Sequence, residues 1–405
     1  MKQGGKAGRA LALCAAVVLA WTGVVPAIAQ ENIEDRLGQL MAAHDTVGLA
    51  VVVVRDNAIV YRNSLGWKDR ERRIPLDGDD LFRIASISKS FAATGILQLV
   101  EQGRLSLDAD VGDLVGFPVR NPRFPDRPIT LAMLLNHTSS ITDGKTYGSL
   151  DLINPGAGKD WRDRYADRAP GAAYEYSNLG YNMVGTIVER VSGERFDAYV
   201  KAHVLDPLGL YGGYVPEALD AGRFAQIYRW REGEGFVRSD QAYAPLGGRL
   251  DGYAMGYDTP VFSPTGGVKI SATDLARYML MHMNLGEWNG ARIISAEHAK
   301  QMQTPTVDVD ADSGYGLAIR TDSTLVPGVV LTGHTGSAYG LYSSMFFDPE
   351  KKYGFVVITN GTRDMEVRTE VNRALYEYFI ARAADAPAAE QASPLAPMAR
   401  SSGTR

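Results

Sequence analysis

From Val47 to Val54 the chain is an almost unbroken β-branched run, and Asp56-Asn57 then breaks it as a turn signal. Ala58 to Leu65 resumes as a second strand, so an N-terminal hairpin is expected after a helix at Ile33 to His44. Toward the other end, Val329 to Thr332, Tyr342 to Phe347 and Tyr353 to Thr359 read as three more strands, with a turn at Asp348-Pro349-Glu350-Lys351. Glu366 to Arg382 has helical spacing and closes the pattern. Between these ends lie helical patterns at Thr130 to Asn136, Leu179 to Val191 and Ala272 to Leu285, and a stretch from Asp220 to Gly267 rich in glycine, tyrosine and arginine. Strands at both ends with helices between them predict an α+β fold, an α/β sandwich of one antiparallel sheet flanked by helices. The sheet part takes about 30–100 and 265–383, and a mostly helical second subregion takes about 101–264.

One segment changes this from a fold to a chemistry. Leu81-Phe82-Arg83-Ile84-Ala85 reads as extended or turn, and from Ser86 a helical run continues to Gln102, where Gly103 stops it. Ser86-Ile87-Ser88-Lys89 places a hydroxyl and an amine three residues apart, on one face of that helix. The first turn has unpaired N–H groups and the positive end of the helix dipole, which favour a developing negative charge. S-x-x-K alone also fits a capping serine followed by a solvated lysine. The helix here is apolar on nearly all sides and therefore buried. A lysine in its first turn then needs a partner or a lowered pKa, and either makes it a candidate base for Ser86.

Composition bounds the remaining options. The chain has 405 residues, 45% hydrophobic and 22% charged, with a formal charge of −5 and no basic cluster, which argues against a nucleic-acid partner. The six histidines show no H-E-x-x-H spacing and G-x-S-x-G is absent, so neither a metal site nor an α/β-hydrolase elbow is expected. Lys2, Lys6 and Arg9, the apolar run from Ala10 to Val25 and Ala27-Ile28-Ala29 form a cleavable leader over 1–29. Export to the periplasm or the medium follows, with no membrane span after cleavage. Cys14 lies inside the leader, so the mature chain has no thiol. From Ala384 to 405 the composition is Ala, Pro and Ser-rich and predicts a disordered tail.

Two further sets complete the chemistry. Tyr176-Ser177-Asn178 precedes the helix at Leu179, where a tyrosine near a cation relays a proton and an amide orients a carbonyl. Tyr61-Arg62-Asn63 has the same Y-x-N form but sits in a strand before Ser86. His334-Thr335-Gly336 enters a strand with Ser337 next; glycine admits a substrate backbone, and the Ser337 N–H can pair with that of Ser86 as an oxyanion hole. Alone, His-Thr-Gly also fits a polar strand end. Arg229, Arg231 and Arg249 read as solvated loop charges.

In this order, on helix, loop and strand, the three sets resemble the serine β-lactamase-like hydrolases and penicillin-binding proteins. The branch is that of class C β-lactamases, DD-carboxypeptidases, D-aminopeptidases and related carboxylesterases, and the resemblance covers roughly Asn32 to Arg382. It implies a β-lactamase/transpeptidase-like fold and an acyl-enzyme mechanism without metal or cofactor. Ser86 matches the nucleophile, Lys89 the lysine that shares its proton, and Tyr176 the general base that also activates water. Asn178 matches the amide that binds the substrate carbonyl, His334, Thr335 and Gly336 the strand triad, and Ser337 the second oxyanion donor. Leu134 to Ser139 also resembles a family segment, with Ser140 in place of its usual glycine and His137 read as structural.

Histidine stands where β-lactamases usually have lysine. At its ordinary pKa of about 6.5 it is mostly neutral and attracts a carboxylate less than lysine does. The resemblance therefore points first to DD-carboxypeptidase or D-aminopeptidase chemistry on D-amino-acid peptides, including peptidoglycan-derived ones. A carboxylesterase and a class C-like β-lactamase are the enzymic alternatives, and a sensor that acylates without turnover is the non-enzyme alternative.

Overall fold

Leu49, Val51 and Val53 enter one hydrophobic core, while Ala50, Val52 and Val54 enter another. Alternate side chains of a strand face opposite ways, so a strand covered on both sides is apolar at every position. That is why the run from Val47 to Val54 lacks alternation. In this computed structural model, which describes residues 32–382, it forms the strand β1 (Gly48–Arg55) in a nine-stranded sheet.

The other members are β2 (Ala58–Asp69), β3 (Ile74–Pro75), β4 (Val307–Asp310), β5 (Ser313–Tyr315), β6 (Arg320–Val326), β7 (Val329–Ala338), β8 (Leu341–Asp348) and β9 (Tyr353–Gly361). Their order is β4-β5-β6-β7-β8-β9-β1-β2-β3, antiparallel throughout, so the first and last segments of the fold are zipped side by side. Val51 faces Val357 and Val53 faces Phe355 across the β1–β9 ladder. Each such side chain contributes roughly 1.5–3 kcal/mol when taken from water.

Helices α1 (Ile33–Ala43) and α5 (Glu366–Tyr376) cover one face through Leu37, Leu40, Val367, Val371 and Leu375. On the other face lie α4 (Ala272–Met283) and α2 (Ser88–Glu101), joined by Phe91 stacked on Tyr278 with ring centroids 3.7 Å apart. The helical subregion is centred on α3 (Asn178–Ser192), which packs on α2 and is buried from Leu179 to Glu189. The antiparallel sheet flanked by helices is thus present as expected.

Some elements differ from the sequence reading. The edge strands β4 to β6 were not expected, because their acidic and half-exposed positions carry no apolar run. The closing helix is α-helical only to Tyr376 and ends in a π-turn over Glu377–Ala381. The stretch from Asp220 to Gly267 holds a hairpin, Tyr228–Arg231 with Gly235–Arg238, among short 3₁₀ turns. Among the described residues no helix is long and apolar enough to cross a membrane. The leader expected over 1–29, with Cys14, and the tail expected from Ala384 lie outside the described residues.

Candidate active site

Ser86 sits at the junction of sheet and helical region. A 3₁₀ turn over Ala85–Ile87 leads into α2, so Ser86 stands just ahead of the α-helix and not in its first turn. Ala85 has φ +49°, a left-handed conformation rare for a residue with a Cβ, and it turns the chain sharply before the serine. Ser86 is half-buried, whereas Ser88, Lys89 and Ser90 behind it are fully buried.

Lys89 Nζ donates to Ser86 Oγ at 3.2 Å, to Asn178 Oδ1 at 2.8 Å and to Thr265 O at 3.0 Å. Its burial, 0% exposed, pushes the ammonium pKa well below its ordinary value, and the Asp143 carboxylate partly opposes this. Tyr176 OH donates to Ser86 Oγ at 2.8 Å. Burial raises the Tyr176 phenol, while its hydrogen bond to Ser86 pulls the other way. Burial thus favours the neutral form of both the amine and the phenol.

Asn178 is the first residue of α3, and Ser177 caps the helix by accepting from Gly180 N at 3.0 Å. The Asn178 amide is oriented by Asp143, since a carboxylate only accepts. Its oxygen faces Lys89, and its nitrogen donates to Asp143 Oδ2 at 2.7 Å. Asp143 also accepts from Leu179 N at 2.9 Å and from Ser177 Oγ at 3.3 Å. Thr265 Oγ1 donates to Asn178 Oδ1 at 2.5 Å. Asp143 and Thr265 escaped the sequence reading. Both lie in loops where no spacing singles them out.

From His334 to Ala338, β7 pairs with β8 but has run past β6, whose register ends opposite Gly333. Among the described strands nothing pairs with its outer edge there, beside the Ser86 turn. The contact is close: a Cβ on Gly336 would collide with the Ile84 carbonyl and with Ser343 Oγ, which itself donates to Ile84 O at 3.0 Å. Thr335 is half-buried and Ser337 exposed along this edge.

His334 differs from expectation. Its Nδ1 lies 2.5 Å from Thr335 O, which only accepts, so Nδ1 carries the proton. Nε2 is then the acceptor and takes the Tyr315 hydroxyl proton at 2.9 Å. Both ring nitrogens are used inside the protein, and the side chain is 3% exposed. Burial and the neighbouring Lys89 push its pKa down to about 3, not the ordinary 6.5 on which the sequence argument rested. Tyr315, on the unexpected strand β5, is a further residue the sequence did not reveal.

His137 is fully buried, and its Nδ1 accepts from Ser177 N at 3.1 Å. Its ring packs against Tyr176 at 4.3 Å between centroids and against Tyr315 at 5.0 Å. It thus ties the Tyr176 loop to the sheet. Arg229 and Arg249 are exposed, whereas Tyr61-Arg62-Asn63 lies on β2, away from Ser86 in the ladder with β1. Among the described residues no group of three or more His, Cys, Asp or Glu is placed to hold a metal ion.

A family model described as Beta-lactamase matches residues 33–378. Penicillin-binding protein 4 of Amycolatopsis lactamdurans is 28% identical over 360 residues, 84% of this chain and 88% of its own. Esterase EstB of Burkholderia gladioli is 33% identical over 230 residues, 51% of this chain and 57% of its own. The octameric penicillin-binding protein homologue from Pyrococcus abyssi superposes with a TM-score of 0.70 at 27% identity, over 85% of this chain and 76% of that one. A match spanning sheet, helical region and the Ser86 junction leaves one assignment: the chain belongs to the beta-lactamase family, as a serine hydrolase on the penicillin-binding-protein fold.

Proposed function

We propose that Ser86 is acylated by amide or ester substrates of the D-amino-acid type, peptidoglycan fragments among them, in an exported enzyme. The observation that carries this is the pair of contacts on Ser86 Oγ, from Lys89 Nζ at 3.2 Å and Tyr176 OH at 2.8 Å, with the lysine wholly buried. Lys89 as free amine takes the Ser86 proton while Oγ attacks the carbonyl. The oxyanion rests on the N–H groups of Ser86 and Ser337. Tyr176, still protonated, gives its proton to the leaving nitrogen or oxygen and is refilled from Lys89. Water then follows the same route in reverse and frees the acid. Asn178 holds Lys89 in place, and its second amide N–H is the group left to meet a substrate carbonyl.

The state of His334 shapes the substrate. A neutral, internally bonded ring offers no charge to a C-terminal carboxylate, which favours D-aminopeptidase or amidase chemistry over a carboxypeptidase. The same observation favours a carboxylesterase as the second reading, because an ester needs no anchor at the triad. Export rests on the leader over 1–29.

A fluorophosphonate or labelled penicillin should modify the peptide carrying Ser86, and Ser86→Ala should abolish both labelling and turnover. Lys89→Ala and Tyr176→Phe should each lose at least ~10²-fold. A panel of a D-Ala-D-Ala peptide, a D-aminoacyl amide, a short-chain nitrophenyl ester and a chromogenic cephalosporin ranks the substrates. Undiminished turnover by Ser86→Ala defeats the assignment, and a single stoichiometric burst on every substrate identifies a sensor.

A further inference from the structure

Arg83 lies three residues before Ser86, on the short strand Phe82–Arg83, and among the described residues no carboxylate pairs with it. Its guanidinium donates to Ser263 Oγ at 3.2 Å and, weakly, to Ala242 O at 3.4 Å, and its buried Nε has no partner at all. Directly opposite in the antiparallel register stands Lys269, 3% exposed, whose Nζ donates to Tyr214 O at 2.5 Å; burial first, and then Arg83, push its pKa well below the ordinary value, with Glu217 opposing. Arg249 adds a positive charge within electrostatic range of Arg83. A guanidinium keeps its charge, and a partly buried cation without a counter-ion is costly. An anion brought to Arg83 relieves that cost.

The place adjoins the strand β7, which lies against the Ser86 turn. The Arg83 guanidinium lies over the Tyr339 ring, 5.2 Å from its centroid, and Tyr339 follows β7 two residues beyond Ser337. Tyr147, 42% exposed, is within electrostatic range of Arg83 and Tyr339 on one side and of Asp143 and Tyr176 on the other. Along β7, His334 stands ahead of Ser337 and carries no charge; Tyr339 stands beyond it, with the Arg83 guanidinium over its ring.

We propose that Arg83 binds a substrate carboxylate beside Tyr339 and makes the enzyme select acidic substrates over neutral ones of equal size. This rests on Ser86 hydrolysis as argued above, and it adds the charge of the substrate. Arginine suits the task, since its planar fork meets a carboxylate with two parallel hydrogen bonds.

The test compares nitrophenyl hemiglutarate with nitrophenyl pentanoate for a charge in the acyl part, and carboxyphenyl butyrate with phenyl butyrate for a charge in the leaving group. Wild type should favour the acidic member of one pair by at least roughly tenfold in kcat/KM. In Arg83→Met that ratio should collapse toward one, and Arg83→Lys should restore part of it. Glutarate should inhibit the wild type competitively, and glutaramide should not, which keeps the test open if Arg83→Met does not fold. No acidic preference in either pair, or equal inhibition by glutarate and glutaramide, overturns the proposal while neutral-ester turnover leaves the Ser86 assignment standing. Loss of all ester turnover in the wild type counts against that assignment first.

Discussion

The Asp143 carboxylate takes the amide N–H of Asn178 at 2.7 Å and so turns the amide oxygen onto Lys89 at 2.8 Å. Asp143 acts on Lys89 twice, through this orientation and through its charge, which raises the Lys89 pKa against the larger lowering by burial.

Asp143→Asn separates the two effects. Without the negative charge the Lys89 pKa falls further, so the acid limb of kcat/KM, where Lys89 must lose its proton, moves to lower pH. Asn178 Nδ2 and Leu179 N bond different oxygens of Asp143, and the variant turns one of these acceptors into an NH2 donor, so the rate on the plateau should also drop. A hydrogen bond to a charged group is worth about 1.5–3 kcal/mol, and partial expression in the barrier gives a loss on the order of tenfold. A pH profile of kcat/KM checks both parts. An acid limb that stays where it was, or moves upward, shows that Asp143 does not reach Lys89 electrostatically.

His334 makes a second prediction, and its sign differs from that of an exposed histidine. With its pKa pushed down to about 3 by burial and Lys89, it should stay neutral at pH 5 and above. Carboxylate substrates should therefore show no gain in binding from this residue as pH falls through 6.5, and the His334 ring signals in an NMR titration should not move between about pH 5 and 8. His334→Lys places a second ammonium beside Lys89 in a site 3% exposed, so it should lower Tm and fail to improve KM for a cephalosporin. A titrating His334, or a tighter-binding lysine variant, would return the triad to the role of carboxylate anchor.

The sequence disclosed the helices and strands whose burial is periodic or complete. Val47 to Val54 and Tyr353 to Thr359 are apolar because two helical layers enclose them, and Ser86, Lys89 and Tyr176 are legible because their spacing is tied to regular elements. What it hid were partners supplied by irregular chain. Asp143 sits in a loop after Ile141, Thr265 in a turn after Ser263, and Tyr315 on a three-residue edge strand; each meets the site through distance in space with no pattern in sequence. Ser140 is an intermediate case. The departure from glycine was visible, and the structure places that residue at φ +65°, the left-handed conformation a glycine serves best, with its hydroxyl held by Asn121 Nδ2 at 3.0 Å. The pKa of His334 was misjudged for a related reason, since burial and the nearness of Lys89 are properties of the packed molecule.

Gly336 supplies the last prediction. The β7 edge that carries Ser337 lies against the turn that holds Ser86, and at Gly336 an added methyl would strike the Ile84 carbonyl and Ser343 Oγ. The hydroxyl can rotate away, but the carbonyl belongs to the backbone immediately before Ala85, whose left-handed φ of +49° sets the position of the nucleophile. Gly336→Ala should therefore push the Ser337 N–H and the Ser86 N–H apart. Loss of one oxyanion donor costs about 10²–10³ in kcat, and misplacement of both lies in the same range. Folding should suffer less, by about 1–3 kcal/mol of overpacking, because β7 remains paired with β8 from Thr332 to Ala338. The measurements are kcat on a neutral ester and Tm on the same preparation. A variant that keeps its kcat shows that β7 does not contribute the oxyanion donor, whereas a fall in kcat at a nearly unchanged Tm places the methyl in the reaction and not in the fold.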